Sequence, residues 1–238
     1  PSIDVRKNKY IWLGTNQLFH GLTLTFRENE AGHFIAHSYK FDKATSTFIV
    51  ECDESTWRNA GFDSKNEAET RAYLQRVFED DLGGRELLTN NFVRWVNFPL
   101  VRNRNWSHEN VVLLGDALHT AHFSIGSGTK LALEDSIALA ECFAEQPDVT
   151  GALREFERTR RPVVEALQDA AFSSLLTLEN IAEEWAPERL PFAYKLMTRS
   201  GRVTHEKLKN RDPEFAAAYE AWRQGNEENP QSQSPNPQ

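Results

Sequence analysis

Residues 111–140, "VVLLGDALHTAHFSIGSGTKLALEDSIALA", constrain the fold more than any other stretch of the chain. An apolar, β-branched run halts at Gly115-Asp116, a loop follows with two histidines and two glycines, and the chain then enters an amphipathic helix. This order reads as a buried strand, a turn and a helix, the unit of an α/β layer. At the C-terminal edge of such a strand, side chains project into the crevice where ligands bind. Asp116 stands there, and a carboxylate so placed can accept hydrogen bonds from ligand hydroxyls, hold a metal or cap the next turn. Gly126 and Gly128 flank Ser127 just before the helix, which lets backbone amides and the positive helix end approach a planar or anionic group.

Several rival chemistries lack their partner residues. A P-loop needs lysine directly after its last glycine, but Thr129 separates Gly128 from Lys130. The acidic nucleophile motif of a phosphatase and the companion motifs of a dinuclear phosphoesterase are also missing. Asp116, His119 and His122 are three residues apart, a ligand-like spacing on a helix, but the flanking strand and glycines make this a loop, so no metal site is expected. His20, His33 and His37 show no ligand spacing and read as packing or hydrogen-bonding residues. Asp135, inside the helix, either braces the preceding loop or faces solvent.

Upstream, "KYIWLGT", "GLTLTFREN", "GHFIAHSYKF" and "TSTFIVECD" alternate apolar with polar residues, and the breaks between them suit turns, so an antiparallel four-stranded sheet is expected. Residues 64–82 read as a helix capped by Ser64, and "NFVRWVNFPLV" as a further strand ended by Pro99. Beyond the central motif the chain becomes helical. One helix is expected over 130–145, a long one over 150–183 kinked or split at Pro162, and shorter ones over 187–224. The proline-spaced segment 225–238 reads as a disordered tail or linker.

A net charge of −8 and a pI near 5.5 argue against a nucleic-acid footprint, and Arg102 and Arg104 in "VRNRNW" read as loop charges. No stretch is long and apolar enough for a membrane-spanning helix, and the start has no signal-like flank, so a cytoplasmic location without membrane or nucleic-acid partners is expected. Cys52 and Cys142 form no metal or disulfide pattern.

The central stretch resembles the second flavin-contacting motif of the flavoprotein aromatic monooxygenases of the p-hydroxybenzoate hydroxylase type, written GDAAH, a proline loop, GxGxN and a helix rich in Asp-Ala. "LREFERTRRPVVEALQDAA" resembles that family's long helix with Arg-Arg-Pro, and the likeness runs from about Ser2 to Trp222. "NKYIWLGTNQLFHGLTLTFRE", "STFIVECDESTWRNAGFD" and "FAYKLMTRSGRVTHEKLKNRDPEF" narrow it to the aryl-coenzyme A hydroxylases, the group of salicylyl-CoA 5-hydroxylase and 2-aminobenzoyl-CoA monooxygenase/reductase. The resemblance implies an α+β (mixed α/β) fold with four parts. Residues 1–98 would form a substrate-covering antiparallel sheet with one helix, 99–145 the second half of an FAD-binding domain, 146–224 C-terminal helices and 225–238 the tail.

It further implies FAD as cofactor, NAD(P)H as reductant and hydroxylation of an aromatic ring by O2, with the ring carried as a CoA thioester. Asp116 would bind the ribityl chain of FAD, and Gly126, Ser127, Gly128 and Thr129 would lie against the pyrimidine edge. His122, Phe123 and Ser124 would stand near the reacting ring. No catalytic side chain is assigned, because the cofactor carries the reaction.

The chain departs from the family pattern in three places. The prolines after the histidine are replaced around His122 and Phe123, and Lys130 stands where the asparagine would be, adding a charge near the flavin or pointing to solvent. There is also no GxGxxG βαβ unit, which implies a fragment that lacks the N-terminal FAD-binding half and is inactive alone. In two-function members a reductase domain follows, so the tail is a candidate linker. A non-catalytic binding module that keeps the fold without flavin is the alternative reading.

Overall fold

A computed structural model describes residues 1–89, 94–185 and 188–228. The chain divides into two compact units, Pro1–Gln168 and Asp169–Gln238.

The first unit is built on one long strand, β1 (Ser2–Thr15), rich in β-branched and aromatic residues. β2 (Thr23–Asn29), β3 (Gly32–Lys40) and β4 (Ser46–Cys52) follow as antiparallel hairpins, and β4 returns to pair with β1 from Lys9↔Cys52 to Thr15↔Ser46. The four expected strands are present, with β1 beginning at Ser2, well ahead of its apolar run. On the far side of β1 lie the short β5 (Leu87–Leu88) and β6 (Val96–Arg102), whose register with β1 shifts between Val5 and Lys9. Pro99 does not end this strand. It pairs with Val5, and because β1 is the sole strand partner of β6 among the described residues, the missing N–H does not interrupt a second ladder. The part of the expected strand at 91–93 lies outside the described residues.

Both faces of the sheet are covered, so β4 reads buried along its whole length instead of alternating. Ile11, Leu13, Phe34, Phe48, Val50 and Cys52 face helices α1 (Glu54–Asn59), α2 (Glu67–Val77) and α3 (Glu79–Leu82), where Leu74, Phe78 and Leu82 complete a closed apolar core. The cap of α2 is Asn66, not Ser64. Its side chain accepts from Glu69 N while the Glu69 carboxylate accepts from Asn66 N, a reciprocal pair that Ser64, three residues before the helix, cannot make. Gly32, at the turn into β3, has φ +134°, and a Cβ built there would lie 2.1 Å from Thr56 Oγ1 of α1.

The apolar run at 111–114 is not a buried strand. Only β8 (Val111–Val112) is extended; it pairs with β7 (Ser107–His108) as a two-residue ladder, and Val111 is 62% exposed. A buried strand needs neighbours on both edges, and β7 is the one that pairs with it among the described residues. Helix α4 (Gly128–Glu145) starts two residues earlier than its periodicity suggests. Helix α5 (Val149–Glu179) passes through Pro162 without being split, so a single lost backbone donor is tolerated within 31 residues of helix.

The second unit holds the end of α5 with α6 (Ile181–Glu184), α7 (Arg189–Thr198), α8 (His205–Arg211) and α9 (Pro213–Glu228). Tyr194 of α7 stacks on Tyr219 of α9 at 3.5 Å, and His205 bonds Glu220 at 2.8 Å. Residues 225–228 continue α9, whereas 229–238 of the expected tail lie outside the described residues. No helix among the described residues is long and apolar enough to cross a membrane.

Candidate functional site

The sheet face opposite the apolar core looks onto the loop between β8 and α4. Together they enclose a cleft of about 860 Å³. Asp116, Gly126, Ser127, Gly128 and Thr129 line it from the loop with Phe123, and Trp12, His37, Tyr39 and Ile49 line it from the sheet. All five residues expected to hold cofactor therefore border one space.

Hydrogen bonds position the loop. Thr120 Oγ1 donates to Pro99 O at 2.7 Å and accepts from Val101 N at 2.8 Å, tying the loop to β6. Asn103 donates to the carbonyls of Ala117 and Leu118, and Gln168 of α5 to those of Val101 and Thr120. Beneath the loop, His119 Nε2 lies 2.7 Å from Asp135 of α4, and the other oxygen of Asp135 accepts from Arg160 Nε at 2.7 Å. Asp135 is fully buried, so of the two readings left open the brace holds and solvent exposure does not. Burial opposes its ionisation, but the hydrogen bonds from His119 and Arg160 outweigh it and hold the carboxyl below its ordinary range.

Asp116 differs in kind. The 3-10 turn Gly115–Ala117 is closed by the Gly115 carbonyl, which accepts from Leu118 N and His119 N, so the aspartate caps nothing. Its carboxylate is exposed at the cleft wall and takes no hydrogen bond from the described residues. Gly126 has φ +61°, a left-handed conformation that suits glycine and turns the chain into α4. No side chain caps α4: Ser127 Oγ donates to Ile125 O, so the first-turn amides, at a helix start whose Gly128 and Thr129 line the cleft, keep no side-chain acceptor. An uncapped helix start beside a free carboxylate offers donors and an acceptor to one ligand.

Lys130 points to solvent and pairs with Glu134 one turn on. Phe123 stands at the cleft, its ring 4.8 Å from Tyr10, 5.2 Å from His37 and 6.3 Å from Trp12. His122 and Ser124 are buried behind it, with Ser124 N donating to His122 Nδ1 at 3.4 Å. His119 and His122 thus serve different partners, and no cluster of three metal-ligating side chains occurs among the described residues.

A buried pair on the sheet is not apparent from residue spacing. His37 of β3 is more than a packing histidine: it is 2% exposed, and its Nε2 lies 2.9 Å from Glu51 of β4, itself 1% exposed. Asn8 donates to the other oxygen of Glu51 at 2.8 Å. Burial works against a charge on Glu51, but the hydrogen bond from His37, the fields of His122 and His37 and the bond from Asn8 together bring its carboxyl below the ordinary range. Tyr10, opposite Glu51 in the β1–β4 register, has its phenol raised by burial and by that carboxylate.

Residues 20–171 match the profile of the FAD binding domain family. The chain is 40% identical over 233 residues to a salicyloyl-CoA 5-hydroxylase from Streptomyces sp, covering 93% of this chain and 44% of that protein. It is 38% identical over 183 residues to a protodeoxyviolaceinate monooxygenase from Chromobacterium violaceum, covering 77% and 49% respectively. The chain thus spans about half the length of these curated relatives or less. Among solved structures, a probable FAD-dependent monooxygenase from Pseudomonas aeruginosa superposes with a TM-score of 0.57 at 20% identity, covering 76% of this chain and 51% of that one. That likeness extends to the mixed α/β fold with its antiparallel sheet.

Proposed function

The chain belongs to the FAD binding domain family, and on that footing we propose that it forms the ring end of the flavin site, and the cover over the substrate, of a monooxygenase acting on an aromatic ring. The observation that carries this reading is the single cleft in which the unbonded carboxylate of Asp116, the left-handed Gly126 and the uncapped start of α4 face an aromatic sheet surface. Asp116 would accept from ribityl hydroxyls, and the amides around Gly126–Thr129 would meet the polar edge of the flavin ring. When bound, FAD supplies the redox and oxygen chemistry, with NAD(P)H as reductant. The protein's part is to orient the two rings and exclude water.

In this reading residues 1–98 serve as cover, 99–145 as cofactor wall and 146–224 form the C-terminal helices. A ring carried as a CoA thioester is the substrate we favour, because the 40%-identical relative is a salicyloyl-CoA hydroxylase. Phe123 borders that ring, with His122 and Ser124 behind it. The pyrophosphate end of FAD calls for a glycine-rich βαβ unit, and the 238 residues contain no GxGxxG. We place that unit against α4, where Leu133 and Ile137 lie exposed.

Comparing FAD with riboflavin tests this division. If the chain holds only the ring and ribityl end, the two should bind with dissociation constants within about tenfold of each other, and Asp116→Ala should weaken both by about 1.5–3 kcal/mol, the range for a hydrogen bond to a charged group. Binding of FAD more than about a hundredfold tighter than riboflavin would put the pyrophosphate site within this chain and break the reading.

A further inference from the structure

On the helix side of the sheet, α2 and the segment after α3 frame a groove of about 450 Å³. Arg71, Arg76 and Arg85 line it, and none of their guanidinium groups makes an ion pair or hydrogen bond among the described residues. Arg27, Arg58, Arg158, Arg160 and Arg161 of the same unit are each matched with a carboxylate. Glu79 and Glu86 also border the groove, yet neither draws one of the three arginines into a bond. In a chain of net charge −8, this is positive charge held open, on planar donor forks that match phosphate oxygens. The wall that carries it is fixed. Gly83 and Gly84 take left-handed φ of +55° and +75°, which turns the chain back over α2. Gln75 of α2 then clamps the returning segment: its Nε2 donates to Arg85 O at 2.8 Å and its Oε1 accepts from Leu87 N at 2.7 Å. Arg76 lies over the Tyr73 ring at 5.7 Å.

An uncharged shelf joins this groove to the cleft. Leu87 lines the groove, and Leu88, its neighbour in β5, lines a hollow of about 230 Å³ with Gly14, Phe41, Thr47 and Trp12. Trp12 also lines the cleft. The register sets Gly14 opposite both Leu88 and Thr47, so these residues share one face of the sheet, the face that Trp12 shares two positions back along β1. Because β5 is an edge strand of two residues, a chain that leaves the cleft past Trp12 rounds that strand to reach the arginines.

We propose that the groove seats the phosphates of the substrate's coenzyme A carrier, with the neutral pantetheine arm along the shelf at Trp12 and Leu88 and the ring in the cleft. This rests on the thioester reading above and adds the place where the carrier is held. No charged side chain lines the shelf, which suits an arm of amides and methylenes, whereas the ribose phosphate and pyrophosphate at the far end of the carrier need the three cations. The arm leaves from the sheet side, opposite Asp116 and Gly126 on the loop, so carrier and cofactor take different exits from the cleft.

Calorimetric titration of the full chain with coenzyme A, dephospho-coenzyme A and pantetheine tests this, with riboflavin titrated alongside as a readout of the cleft. Coenzyme A should bind about tenfold or more tighter than pantetheine, with dephospho-coenzyme A between them. Arg71→Ala combined with Arg85→Ala should weaken coenzyme A about tenfold or more while pantetheine and riboflavin stay within about twofold. Both arginines are exposed, and circular dichroism checks that the variant folds. Arg58→Ala removes an exposed positive charge that is paired with Glu54 on α1, and should leave coenzyme A within about twofold. Unchanged affinity for coenzyme A in the double variant, or an equal loss in Arg58→Ala, overturns the seat and leaves the thioester reading standing. Inorganic pyrophosphate that binds as tightly as coenzyme A would make the groove a general anion patch and overturns the seat as well. Absence of coenzyme A binding in a chain that still binds riboflavin overturns both the seat and the thioester reading.

Discussion

The two sides of the first unit are held together by different physics. Behind the sheet, Phe34, Phe48, Leu74, Phe78 and Leu82 are fully buried against one another, and β-strands and helices from one continuous stretch supply every partner. On the cleft side, the loop and α4 are held by buried hydrogen bonds that join His119 and Arg160 to the Asp135 carboxylate, while Leu133 and Ile137 of the same helix remain 62% and 59% exposed. Apolar packing is indifferent to small rotations, but hydrogen-bonded charge fixes direction. A wall that must present a carboxylate and helix amides to a ligand needs direction, and the back of a sheet needs only to be dry.

The largest expected effect comes from the dry side. Phe48→Ala, which removes a ring packed edge-on against Phe78 at 5.2 Å, should cost about 3–5 kcal/mol in urea denaturation. A cost near 1 kcal/mol would show that this core is looser than its burial implies.

Next comes the charged side. Asp135→Asn keeps the shape but leaves Arg160 without its carboxylate, and should cost about 1.5–3 kcal/mol by the same measurement. The folded-state pKa of Asp135 is depressed, so its contribution is present in full above the ordinary carboxylate pKa and is lost as pH falls through the depressed value. The wild-type protein should therefore lose stability toward acid more steeply than Asp135→Asn. Parallel acid titrations of the two would remove the charged brace from the comparison.

The smallest effect is expected at Lys130, whose pairing with Glu134 is largely exposed. Lys130→Ala should shift stability by less than about 0.5 kcal/mol and leave flavin binding unchanged. Weaker flavin binding in this variant, seen by fluorescence titration, would mean that the charge reaches the cleft.

Much of this arrangement is legible in the order of residues. Alternation locates β1 to β4, Gly126 and Gly128 mark the entry to α4, and the Gly-Asp pair marks the cleft wall. The strand expected at 111–114 fails because β-branched composition reports a preference for extended backbone and not the presence of neighbours to pair with. Asn66 displaces Ser64 as cap because a capping box depends on a partner three residues on, and both residues have plausible contexts. The His37–Glu51 pair stayed hidden for another reason. A carboxylate within "STFIVEC" signals that a partner exists, but its identity depends on the register of the β3–β4 hairpin. That register is set by the turn at 41–45, where Asp42 accepts from Ala44 N and Thr45 N.

The close approach at Gly32 bears on how such a cleft can diversify. Further along β3 from Gly32 stands His37, and just beyond Glu51, at the start of α1, stands Thr56, the residue that a side chain at position 32 would strike. The two halves of the buried pair are thus anchored at a point with room for a hydrogen atom and nothing larger. Mutational drift can reshape the rim at Trp12, Tyr39 or Phe123 one substitution at a time. A change in the spacing between histidine and glutamate has to alter a hairpin turn and a helix start together, so the rim is the part free to explore new ligands while the pair beneath it is inherited as a unit.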